Sequence, residues 1–214
     1  MIRLLALLAV LLPVGALADP YPALHDVTGV AANDVLNIRT QPSARSQIIG
    51  GFGPFETGVE VIARSDDGKW GRVNTGERAG WTAMRFLARQ PGQTDADWAY
   101  APDRLAPRGL ECFGTEPFWS LAIQPGGTLD YSALDHGDGI AEPGGFEAIA
   151  SSAATGKRAF SGWLDVETVS FTGIVGIEIC SDGMSDRLYG FEIDLLVSGS
   201  EGTQLTTGCC RLVP

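Results

Sequence analysis

The sequence predicts an all-β chain built from two small β units joined by a linker. Three observations carry this reading. Short β-branched or alternating apolar runs recur through residues 21–88 and again through 108–214. Clusters of Gly, Pro, Asn and Asp separate these runs, and no helical period of useful length appears beyond residue 18. Strands at this spacing build small barrels or sandwiches, whereas βαβ units would interleave them with helical patterns.

Residues 1–18 stand apart from the fold. Arg3 precedes an apolar run from Leu4 to Leu12, followed by Pro13, Gly15 and then Ala16-Leu17-Ala18. A positive start, a short apolar core and an A-x-A site make a secretory signal peptide. The run falls short of the ~20 residues that a bilayer span needs, and no cysteine near the cleavage site supports a lipid anchor. The mature chain is therefore expected to begin near Asp19, with no integral membrane span after signal removal. Its expected location is the periplasm or the cell exterior.

The formal net charge of −11 argues against nucleic acid as a partner, because phosphate binding is driven by Lys and Arg. It disfavours anionic lipid surfaces for the same reason. Acidic charge of this kind keeps an exported protein soluble.

The first block contains runs at 35–39, 59–63, 70–74 and 80–82, punctuated by Gln41-Pro42-Ser43, Gly53-Pro54, Asp66-Asp67-Gly68 and Thr75-Gly76-Glu77. Leu36 and Ile38 face one way and Asn37 and Arg39 the other, since strand side chains alternate. A core of Leu36, Ile38, Ile49, Val59, Val61, Val73 and Leu87 is enough for a small barrel. Residues 89–107, with Pro91, Pro102 and Pro107, read as the linker, and Trp98 and Tyr100 are placed to dock it.

The second block is expected to form strands at 118–123, 128–134, 146–150, 163–170, 174–180, 188–197 and 204–207. In the run from Leu188, the residues Tyr189, Phe191, Ile193 and Leu195 alternate against Gly190, Glu192 and Asp194. All four cysteines, Cys112, Cys180, Cys209 and Cys210, lie in this half. In an oxidising compartment an even set implies disulfides. A bond between neighbours Cys209 and Cys210 would be strained, so each is expected to reach a different partner, Cys112 or Cys180. The result is a disulfide-stapled antiparallel β barrel or sandwich with cysteines at strand ends.

The string Leu36-Asn37-Ile38-Arg39-Thr40-Gln41-Pro42-Ser43 closely resembles the opening of bacterial SH3 domains. Ile48-Ile49-Gly50, the segment 58–62, Gly68-Lys69-Trp70-Gly71-Arg72-Val73, Gly80-Trp81-Thr82 and Phe86-Leu87 follow in the family's order. The resemblance implies an SH3-like barrel over 19–88 that binds cell-wall peptides or other extended partners in a groove. It points to Asn37, Arg39, Trp70, Arg72 and Trp81 as ligand-binding residues. The same residues have structural readings: both tryptophans as core aromatics with an exposed edge, and Arg39 as the partner of a local carboxylate.

In the half spanning 108–214, the strings from Cys112 to Trp119 and from Cys180 to Tyr189, with Gly208-Cys209-Cys210, resemble an uncharacterised family of Gram-negative envelope proteins. That resemblance supplies a location and no reaction. Asp182-Gly183 and Ser185-Asp186 are turn formers whose carboxylates can bond the backbone two residues on. Arg187 is expected to pair with Asp182 or Asp186.

Other chemistry finds little support. The two histidines, His25 and His136, fall in different halves with no partner at metal-ligand spacing. The acidic Gly-rich stretch from Asp135 to Gly139, with Glu142, lacks EF-hand spacing. Thr155-Gly156-Lys157-Arg158 lacks the rest of a phosphate loop, and no G-x-S-x-G occurs. Vicinal Cys209-Cys210 without a C-x-x-C suits staples better than redox exchange. No catalytic residue, metal or cofactor is therefore expected.

The expected function is that of a non-catalytic envelope module engaging peptidoglycan or an envelope protein. Two alternatives stay open: a cell-wall-modifying hydrolase targeted by its SH3-like half, and a carrier of a small apolar ligand. The carrier's lining would be Phe118, Trp119, Trp163, Phe171 and Phe191.

Overall fold

The computed structural model describes residues 21–94, 108–124, 128–133, 142–152, 155–164, 169–200 and 202–214. Trp98, Tyr100, the 135–139 stretch with His136, and the signal sequence lie outside the described residues. Among the described residues the fold is all-β, with one short 3-10 turn at Met84–Phe86.

The first unit holds β1 (Ala23–Val27), β2 (Leu36–Arg39), β3 (Ile48–Phe52), β4 (Val59–Val61), β5 (Ala63–Arg64), β6 (Trp70–Thr75), β7 (Arg78–Ala83) and β8 (Leu87–Arg89). They form two sheets, β4-β1-β8 and β3-β2-β7-β6-β5. Leu36, Ile38, Val59, Val61 and Val73 are buried between them, and Ile49 and Leu87 pack at the rim. Gly80 is required here, because a Cβ would stand 2.6 Å from Ile38 Cγ2 and 2.8 Å from Ile49 Cδ1.

Arg89 to Gln93, assigned above to the linker, bond to β1. The Gln93 side chain is fully buried and satisfies both backbone groups of Leu24: Oε1 accepts from Leu24 N–H (2.8 Å) and Nε2 donates to Leu24 O (3.0 Å). Buried backbone groups left unpaired would each be costly, and the Gln93 side chain, with the Gln90 N–H that also donates to Leu24 O (2.9 Å), extends the ladder beyond β8.

The second unit holds β9 (Leu110–Thr115), β10 (Phe118–Ile123), β11 (Thr128–Ala133), β12 (Glu142–Ser151), β13 (Arg158–Leu164), β14 (Val169–Gly176), β15 (Phe191–Gly199) and β16 (Gly202–Leu212). Each pairs antiparallel with its neighbour and β16 returns to β9, so the sheet closes into a barrel. Closure removes both sheet edges. Phe160, Phe171, Phe191, Ile193 and Leu195 point inward with almost no exposure. Glu111, Asp130, Glu192, Asp194 and Arg211 alternate outward, the inverse of the polarity a lipid-facing barrel needs. Among the described residues no helix is long and apolar enough to cross a membrane.

Three strand expectations are corrected. β9 was not anticipated, although it carries Cys112. The run 163–170 is divided between the end of β13 and the start of β14, and 174–180 leaves the sheet after Gly176. Cysteines therefore sit within strands β9 and β16 rather than at strand ends, while Cys180 lies in an isolated bridge to Tyr189.

The disulfides join Cys112 to Cys210 and Cys180 to Cys209. Strand alternation explains the choice. Cys210 points into the barrel and meets Cys112, its cross-strand partner on β9. Cys209 points outward and holds the 177–190 segment against the wall.

The two units are joined through that segment and through β1. Leu24 belongs to the barrel's apolar cluster although it lies in the first unit. Asn74 Nδ2 donates to Leu188 O (2.7 Å) while Leu188 N–H donates to Asn74 Oδ1 (3.1 Å). Asp186 N–H donates to Glu77 O and Ala79 N–H to Asp186 O. Arg187, expected to pair with a neighbouring Asp, instead donates its Nε–H to Gly76 O (2.6 Å). Asp182 accepts from the backbone N–H groups of Met184 and Ser185, which holds the segment's turn.

Candidate binding face

Residues 36–39 place Leu36 and Ile38 in the core, which forces Asn37 and Arg39 onto the outer face of the β2-β7-β6 sheet. On β6 the buried Gly71 and Val73 turn Trp70 and Arg72 to that same face, and on β7 buried Gly80 and Thr82 do so for Trp81. Register then sets the rows. Trp81 is paired with Arg39 on one side and Arg72 on the other. Trp70 is paired with Ala83, and Thr82 Oγ1 donates to Asn37 O, tying the face together from behind.

All five expected ligand-binding residues therefore share one face, each half-buried. Four of them divide between two grooves. Asn37, Arg39 and Trp70 line a groove of about 370 Å³ together with Asp34, Arg85 and Phe86. Arg72 lines a second groove, described below. Trp81 stands in the row between them, with the Arg72 guanidinium 5.0 Å from its ring centre. A cation over an indole face is attracted by the ring quadrupole, which holds both side chains in place.

Among the described residues Arg39 is not paired with a carboxylate. Its Nη1 donates to Ser46 O at 2.7 Å. Ser46 Oγ in turn donates to Gln41 O and Ser43 O. The loop between β2 and β3 thus fixes the guanidinium at the groove before any partner arrives. Arg85 and Phe86 were missed as groove residues. They lie on the 3-10 turn, where Arg85 stacks 4.6 Å over the Phe86 ring. Only the match of Phe86-Leu87 to the closing segment of the fold hinted at their position.

In a chain of net charge −11, this face gathers Arg39, Arg72 and Arg85, with one acid in each groove, Asp34 in the first and Asp186 in the second. Burial lowers the Arg72 pKa from its ordinary value. The arrangement suits a partner with carboxylates and an extended backbone. Arginine forks match carboxylates, and tryptophan faces give contact area at little cost in side-chain entropy.

His25 is turned away from chemistry. It is buried on β1, stacked on Tyr21 at 5.9 Å, with Nδ1 3.0 Å from Ala23 O. The four cysteines are consumed in disulfides. Of the residues considered for an apolar carrier, Trp119, Phe171 and Phe191 are packed into the barrel core. Phe118 and Trp163 lie on the outward-facing positions of β10 and β13.

Residues 34–88 match the bacterial SH3 domain. The match begins at Asp34, so β1, which completes the β4-β1-β8 sheet and carries Leu24 into the barrel, lies outside it. It also lies wholly outside the 108–214 half. No curated protein and no solved structure matches the chain. Both grooves are built on strands of the bacterial SH3 domain, and the second borrows its far wall from the barrel.

Proposed function

We propose that the protein is an exported, non-catalytic cell-envelope module whose bacterial SH3 domain binds a carboxylate-bearing peptide of the cell wall. The observation that carries this reading is the groove lined by Asn37, Arg39, Trp70 and Arg85. Its cationic groups are held by the loop between β2 and β3 and by ring stacking. Sites fixed in advance lose little entropy on binding. Export is supported by the pattern of residues 1–18 and by the pairing of every cysteine, which suits an oxidising compartment. The barrel serves as a rigid partner to the domain.

The test is co-sedimentation of the mature chain, from Asp19 onward, with purified peptidoglycan sacculi, with soluble muropeptides assayed in the same tubes. The chain is expected to pellet and release none, and Arg39→Ala and Trp70→Ala are expected to stay in the supernatant. Failure to pellet, or pelleting unaffected by both substitutions, overturns the wall reading. Release of muropeptides overturns the non-catalytic one.

A further inference from the structure

On the other side of Trp81 lies a groove that neither unit makes alone. Arg72, Arg78, Thr40 and Ile49 form one wall, and Ser181, Ser185, Asp186 and Arg187 of the barrel's 177–190 segment form the other. It encloses about 410 Å³. Three arginines line it with a single acid, Asp186, so the groove is cationic in an acidic chain. We propose that this seam groove is a second binding site, for a carboxylate group, and that it exists only while the two units are docked.

Two of the three cations, Arg72 and Arg187, are held by side-chain contacts. Arg72 is stacked on Trp81, and its Nε is buried with no hydrogen-bond partner among the described residues. Arg187 is tethered by its Nε–H to Gly76 O. Arg78 is exposed, and its backbone is bridged to Asp186 across the seam.

The far wall is equally set. Cys180 and Tyr189 exchange two backbone hydrogen bonds of 2.9 Å, the disulfide to Cys209 ties them to β16, and Asp182 binds Ser185 through both backbone and hydroxyl. The planar forks of Arg72 and Arg187, held in this way, favour a planar two-oxygen anion, which accepts two parallel bonds. Asp186 sets a limit on affinity, since its own carboxylate competes for the same cations.

The experiment is an amide NMR titration of the mature full chain. The probes are N-acetyl-dialanine with a free carboxylate, the same compound as its C-terminal amide, and inorganic phosphate. The free acid is expected to shift the resonances of Arg72, Ala79, Asp186 and Leu188, and the amide to leave them unmoved. Arg72→Gln and Arg78→Gln are each expected to weaken binding at least about tenfold, the scale of a charge-assisted pair, with the remaining spectrum unchanged as evidence of folding.

Equal shifts from acid and amide, or variants that bind like the parent, overturn the site. Displacement of the acid by an equal concentration of phosphate overturns the carboxylate assignment. The readout does not depend on sacculi, so a chain that fails to pellet yet shows these shifts loses only the wall reading.

Discussion

Glu60 and His25 make the stability of the fold depend on pH in opposite directions, and substituting one should expose the other. Glu60 lies on β4, and its Oε1 accepts from Leu212 N–H at 2.9 Å where the barrel meets the first unit. Burial pushes its pKa from 4.5 up to about 7, against the opposing pull of the Leu212 N–H and of Arg211. The folded chain therefore holds a proton that the unfolded chain releases. That contribution is full below 4.5 and is lost as pH rises through 7.

His25 is one strand away, paired with Val59. Burial pushes it from 6.5 down to about 4, with the Arg89 and Arg64 cations adding and the Ala23 carbonyl and Asp26 opposing. Its contribution is present above 6.5 and is lost as pH falls through 4. Each span corresponds to about 3 kcal/mol. In the shared window the two slopes, about 1.4 kcal/mol per pH step each, nearly cancel.

Glu60→Gln keeps an oxygen for Leu212 N–H and removes the titration. Urea unfolding should then show the variant more stable than the parent by about 3 kcal/mol at about pH 8. Near pH 5 the advantage should have largely vanished, leaving a stability that falls steeply with acid. A variant that tracks the parent at both pH values, or is weaker at the higher one, refutes the reasoning.

Three further outcomes follow from the packing. Replacing Cys180 and Cys209 together by Ala opens a link with a sequence separation of 29, and should cost about 3–4 kcal/mol in chemical denaturation. It should also speed amide exchange at Asp186 and Leu188, and unchanged exchange there would mean the disulfide does not hold the seam. Leu24→Ala empties a fully buried position in the barrel's cluster and should cost about 2–5 kcal/mol, lowering the melting temperature of the whole chain; a shift confined to the first unit would refute the shared core. Gly190→Ala places a Cβ 1.9 Å from Pro22 Cγ, an overpacking expected to cost about 1–3 kcal/mol. A parent-like melting curve would show that the residue entering β1 does not press on the residue entering β15.

What the sequence determined by itself is local. The alternation around Leu36 and Ile38 assigns core and outer face on that strand and places Asn37 and Arg39 outside, because a strand can show only two faces; Trp70, Arg72 and Trp81 were pointed to only by the resemblance to bacterial SH3 domains. The strain of a bond between neighbours Cys209 and Cys210 likewise sends each to a different partner. Which partner each takes was not legible, because it depends on β16 closing onto β9. Residues 110–115 carry too few β-branched residues to announce that strand. The split of 163–170 into two strands was missed for a similar reason, since the run's apolar residues continue across the reversal.

Only the tertiary structure put Trp81 between Arg39 and Arg72, since cross-strand register depends on how distant segments align. It likewise turned Arg187 away from its neighbouring acids to Gly76, and set Asn74 against Leu188 at a sequence separation of 114. Contacts of that range leave no local pattern. They form when two separately buried surfaces meet, and the seam groove is made there.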